Sequence, residues 1–120
     1  GMVTGRRAFL LRLRQESLSH PLLPRDKSPA FRSLDVTLLH TFVIERLLGG
    51  KDIGGRLTYV KDAGEGVAAV REGKDRMIFL LSPTRLEEVQ AVAQAGEKMP
   101  QKSTYFYPKL TTGLVMRSLE

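Results

Sequence analysis

The run Met77-Ile78-Phe79-Leu80-Leu81, entered through Arg76 and ended by Ser82-Pro83, constrains the fold of this chain more than any other stretch. Its apolar residues do not alternate with polar ones. A strand with one wet face alternates, because successive side chains point to opposite sides. An unbroken apolar strand belongs in the middle of a sheet covered on both faces. The rest of the chain must then supply the covering helices.

Three candidate helices are present. Leu34 to Leu48 carries Val36, Leu39, Val43 and Leu47 on one stripe, widened by Leu38 and Phe42, with Thr37, Thr41 and Glu45 on the wetter face. Ser33 or Asp35 caps its start, and Gly49-Gly50 ends it. Asp62-Ala63-Gly64-Glu65 has the form of a capping box before a short helix that runs through Val67 and Val70 to Gly73. Gly64 and Gly66 each cost that helix about 1 kcal/mol against Ala, so tertiary packing has to hold it. Ser82-Pro83 places a capping hydroxyl and a first-turn proline before a third helix, with Leu86, Val89, Val92 and Ala93 inward and Gly96 as its stop.

Strands fill the spaces between. In Arg7 to Arg14, Leu11 and Leu13 face one way and Arg12 and Arg14 the other, the pattern of a strand near an edge. Leu57 to Val60 and Leu114 to Leu119 are two more. The order β-α-β-α-β-α-loop-β predicts a single α/β domain over residues 1–120, a two- or three-layer sandwich on a mixed sheet of about four strands. Right-handed crossovers place the Arg76 strand in the middle. Gly1 ahead of Met2 reads as a tag remnant and residues 1–6 as flexible. Residues 15–30 hold His20-Pro21, Leu23-Pro24 and Ser28-Pro29 and read as a proline-rich arm, pinned to a neighbour by Leu18, Leu22 and Leu23, with His20 in solvent.

Composition narrows the function. Lys and Arg number 19 against 13 acidic residues, a net charge of +6, which favours anionic partners. There is no Cys, which excludes disulfides and thiolate metal sites and fits a cytoplasmic location. No apolar run approaches the roughly 20 residues of a membrane helix. No helix carries a basic stripe, so nucleic acid is not an expected partner. The chain has no Gly-x-Ser-x-Gly elbow, no HExxH and no carboxylate pair at metal spacing, and no cofactor or metal is expected.

The stretch Gly96 to Gly113 differs from the rest. It packs Lys98, Lys102 and Lys109, the pair Ser103-Thr104, the triplet Tyr105-Phe106-Tyr107 and two prolines between a helix stop and the last strand. Lysines and hydroxyls in one loop suit a phosphate or a carboxylate. Alternation puts Tyr105 and Tyr107 on one side and Phe106 into the core. Lys98, Lys102, Ser103, Thr104, Tyr105 and Lys109 are therefore candidate ligand-binding residues, with His40 near the wall of the pocket. The competing reading is a crossover loop stiffened by Pro100 and Pro108, with its lysines merely wet.

The run from Gly96 to Leu110, followed by Thr112-Gly113-Leu114-Val115, resembles the C-terminal signature of the uncharacterised bacterial and archaeal family called domain of unknown function 1015. Lys27 to Val36, Leu39-His40, Leu47-Leu48-Gly49 and Phe79 to Thr84 are similar to earlier motifs of that family. Its members are several times longer, and this chain resembles only their C-terminal part. Some members resemble kinases of free serine. The resemblance implies a stand-alone module that binds a small anion or phosphorylated ligand without turnover. The alternative is phosphoryl transfer, complete only with a separate N-terminal partner or by self-association. A third reading is an interaction remnant that persists as a dimer.

Overall fold

The computed structural model describes residues 1–14, 19–50, 54–105 and 107–108. Within them the chain is mixed α/β, with a three-stranded antiparallel sheet and four α-helices. The strands are β1 (Met2–Thr4), β2 (Ala8–Phe9) and β3 (Met77–Phe79), in the order β2-β1-β3. The helices are α1 (Pro29–Arg32), α2 (Asp35–Leu38), α3 (Ala63–Arg71) and α4 (Leu86–Gln94).

Two expectations about the sheet are corrected. Residues 1–6, expected to be flexible or tag-derived, contain the middle strand β1. Met2 pairs with Phe9 on one side and Phe79 on the other, and the ladder runs on to Gly1, whose carbonyl accepts the Leu80 N–H at 2.8 Å. The Met77 strand, expected in the middle, lies at an edge of the three-stranded sheet that the described residues form. Its inner face is covered by α3, where Ile78 and Val60 meet at Gly66. Its Met77 and the following Leu81 stay exposed, so the missing alternation does not mean two covered faces. Leu57–Val60 forms no ladder among the described residues; Val60 is used through its side chain instead. Leu114–Leu119 lies outside the described residues.

Gly66 explains how α3 holds on. A Cβ there would overlap Ile78 Cδ1 and lie 2.9 Å from Val60 Cγ2. The glycine thus exchanges helix propensity for close approach of helix to sheet. Asp62 caps α3 as expected, accepting the Glu65 N–H at 2.8 Å. Gly73 (φ +76°) and Gly96 (φ +74°) end α3 and α4. Each sits in a Schellman motif, with Lys74 N–H on the Ala69 carbonyl at 2.9 Å and Glu97 N–H on the Val92 carbonyl at 3.1 Å.

The helical region departs further from the sequence pattern. The expected helix from Leu34 is preceded by a turn of helix, α1, and continues from α2 into a π-helical segment, Leu39–Glu45. Leu34 itself is the N-cap of α2 and makes no capping bond. Ser33 Oγ instead donates to the Ala30 carbonyl at 3.0 Å. The buried stripe is Leu34, Thr37, Thr41 and Ile44, three or four residues apart, and Leu47 is 74% exposed. Thr37 and Thr41, expected on the wetter face, are therefore inside, while Glu45 is exposed as expected. The methyl groups of the two threonines pack, and Thr37 Oγ1 is buried with no hydrogen-bond partner.

The proline-rich arm is part of this core. Leu23 is only 2% exposed, and the His20 ring packs edge-on against Phe42 at 5.4 Å between centroids. His20, expected in solvent, is exposed there and still sets one ring edge on Phe42. Its Nδ1 accepts the Leu22 N–H at 3.2 Å and its carbonyl the Leu23 N–H at 3.0 Å, a turn that drives Leu23 inward.

Candidate functional site

The candidate loop begins at the Schellman turn after α4, which points Glu97 back towards α1. The Glu97 carboxylate grips Ser28 twice, accepting from Ser28 Oγ at 2.6 Å and from Ser28 N–H at 3.0 Å. Ser28 Oγ in turn accepts the Phe31 N–H at 3.1 Å and so caps α1. These bonds favour the ionised form. The Ser28 hydroxyl first, then the Ser28 amide and the nearby Lys27, hold the Glu97 carboxyl below its ordinary value of 4.5.

The tip of the loop is a tight turn. Ser103 N–H and Ser103 Oγ both donate to the Pro100 carbonyl, at 3.4 Å and 2.6 Å. Lys102 takes the left-handed conformation that this turn requires, with φ 60°. Ser103 presents its carbonyl outward, where Thr84 Oγ1 donates to it at 2.8 Å. Further on, Lys61 Nζ sits over the Tyr105 ring, 4.3 Å from its centroid.

Each candidate residue can now be placed. Lys98, Lys102 and Thr104 are exposed on the loop. Neither lysine makes a salt bridge among the described residues. Ser103, a candidate ligand residue, directs both its hydroxyl and its amide to the Pro100 carbonyl inside the turn. Tyr105 is 62% exposed and offers one face to Lys61. Tyr107 is exposed with it, while Phe106 and Lys109 lie outside the described residues. His40 stands half-buried in the π-helical segment. No hydrogen bond, ion pair or ring contact among the described residues joins His40 to the loop.

Lys61 is the residue that sequence reasoning missed. It precedes the α3 cap and lies 44 positions from Tyr105, and no local pattern links the two. The loop therefore ties three distant segments: α1 through Glu97, the approach to α4 through Thr84, and the approach to α3 through Lys61. A shallow depression of about 330 Å³ lies elsewhere, lined by Pro29, Ala30, Arg32 and Ser33, none of them a candidate. The described residues contain no group of three or more His, Cys, Asp or Glu placed to hold a metal ion, and no helix long and apolar enough to cross a membrane. Comparison with protein-family models, curated proteins and solved structures finds no match.

Proposed function

We propose that the chain is a binding module that takes a small anion, such as a phosphate or a phosphorylated metabolite, between Lys61, Lys98 and Lys102. The observation that carries this reading is the Lys61–Tyr105 contact, which brings a lysine from another segment onto a loop that already holds two exposed lysines. Ammonium groups without a carboxylate partner bind an incoming anion at no cost in broken ion pairs. Thr104 supplies a hydroxyl donor beside them, and Tyr105 a ring edge.

The reading stops short of catalysis. Among the described residues none of these lysines is in a salt bridge, and no general base is assigned. Phosphoryl transfer would need groups from another polypeptide, the alternative that the family resemblance implies. We place the module in the cytoplasm, which the absence of Cys suits.

Thermal unfolding with inorganic phosphate, ATP and phosphoserine tests the site. A ligand at about 100 times its dissociation constant adds roughly 2.7 kcal/mol. The expected result is a rise in Tm that Lys61→Ala and Lys102→Ala each abolish. No rise with any of the three, or a rise that survives both variants, rejects this site. Phosphate release from ATP by the chain alone would reject binding without turnover.

A further inference from the structure

We infer that the outer edge of β2, which no other described residue pairs with, is a docking site for an extended acidic segment of a partner protein, which joins the sheet as an added strand. The inference does not depend on the lysine loop. It starts from the hydrogen-bond register. Thr4 N–H donates to the Arg7 carbonyl at 2.8 Å, and two residues along each strand Met2 faces Phe9. Pairs in an antiparallel ladder alternate between bonded and non-bonded. Arg7 and Phe9 therefore turn their amides and carbonyls towards β1, while Ala8 and Leu10 turn theirs away from it. On the far side of β1 the same alternation holds, since Gly1 bonds to Leu80. Among the described residues nothing pairs with the outer side of β2.

Side chains and charge describe what fits there. Phe9, Leu10, Leu11 and Leu13 are all exposed, Leu10 to 79%. Arg6, Arg7, Arg12 and Arg14 flank them, and the first 14 residues contain no acidic residue. None of these arginines is in a salt bridge among the described residues. Four arginines and no acid thus lie just before and after the two-residue strand β2, although the chain's basic residues look evenly spread when counted without the acids. A second copy would bring the same arginines against these, a like-charge pairing that edge charges serve to prevent. A lipid or nucleic-acid phosphate would suit the arginines but would leave the outward amides and carbonyls unpaired. An extended peptide with acidic and apolar residues in alternation satisfies all three features: backbone bonds give affinity and alternate side chains give selectivity.

The test uses the full chain and a fluorescein-labelled, end-blocked octapeptide of alternating Glu and Val, with a Lys-Val octapeptide as the control. Fluorescence anisotropy is expected to show binding of the Glu peptide only. Leu10→Pro deletes one outward N–H that the hairpin does not use, and should weaken binding about tenfold, ~1.4 kcal/mol. Arg12→Glu with Arg14→Glu should abolish it without touching the backbone, and Lys102→Ala should leave it unchanged. Bound peptide is expected to slow amide exchange at Ala8 and Leu10. The proposal is overturned if the Glu peptide fails to bind up to about 1 mM, if binding leaves those two amides unprotected, or if the Lys peptide binds equally well. It is likewise overturned if phosphatidylserine vesicles or a DNA duplex displace the peptide through Arg12 and Arg14, or if the chain alone dimerises through this edge.

Discussion

The sheet region and the helical region of this molecule are held together by different means. Around β1, β2, β3 and α3 the contacts are backbone pairings, a local hairpin of β1 with β2 and a long-range ladder of β1 with β3, closed on the α3 side by the buried Val70 and by Ile78 and Val60 against Gly66. Around α1, α2, the π-helical segment and α4 the contacts are side-chain ones: Leu23, Leu34, Ile44 and Val92 buried, His20 on Phe42, Glu97 on Ser28. Backbone pairing tolerates exposed side chains, and the sheet region leaves Phe9, Leu10, Met77 and Leu81 in solvent. Side-chain packing does not, and in the helical region the arm that looks most like a linker supplies one of the most buried residues. The loop from Glu97 to Tyr105 touches both regions, through Ser28 on one side and Lys61 on the other. Its composition suggested a ligand site, and much of its chemistry turns out to be the joint.

Perturbing each region separately would sharpen this contrast or break it. The largest effect is expected from Leu23→Ala, a truncation at a fully packed position, which should cost about 2–5 kcal/mol. Amide exchange then reads where the loss falls. If the regions are semi-independent, protection falls at Leu38 and Val92 and stays at Leu80, whose amide bonds to Gly1. Equal loss everywhere would mean a single cooperative unit and would remove the distinction.

Gly66→Ala is the converse experiment. Helix propensity alone favours it by about 1 kcal/mol. The overlap with Ile78 opposes it, and overpacking of this kind costs about 1–3 kcal/mol. The expected outcome in a denaturant titration is net destabilisation, confined to the sheet region, with stability regained in Gly66→Ala combined with Ile78→Val. A stabilised Gly66→Ala single variant would show that α3 does not rest on the sheet through this residue.

The smallest effect concerns the joint. The folded Glu97 carboxyl titrates below its unfolded value of 4.5, so the unfolded chain takes up its proton first. The Glu97–Ser28 contact therefore stabilises the fold above the usual carboxylate range, and that contribution is lost as pH falls through the lower, folded value. Glu97→Gln should flatten this part of the acid limb of a Tm-against-pH curve and leave the neutral plateau nearly level. An acid limb identical to that of the unmodified chain would show that Glu97 does not couple the loop to α1.

Several of these features are legible without coordinates, and what they share is short range. Asp62 three residues before Glu65 caps α3 because an N-cap carboxylate reaches only the first-turn amides. Gly73 and Gly96 end their helices because the left-handed turn excludes side chains. The pair Ser-Pro shows where this legibility ends. It occurs at Ser28-Pro29 and at Ser82-Pro83, and the same local rule applies to both. At Ser28 it starts a helix, because Glu97 holds the serine in place. At Ser82 it does not: Thr84 is bonded to Ser103 across the loop, and α4 begins only at Leu86, with Glu88 accepting the Arg85 N–H at 2.7 Å.

The sequence by itself determined the α/β class, the two glycine stops and the α3 cap, since each depends on dihedral preferences and hydrogen bonds within one turn of chain. Only the tertiary structure decided that the first residues form the middle strand, that Thr37 and Thr41 point inward and that Lys61 meets Tyr105. These outcomes rest on partners tens of residues away. When two faces of a helix are similarly apolar, or one loop has several distant segments within reach, local preference is nearly balanced, and whichever distant surface must be covered selects among the options.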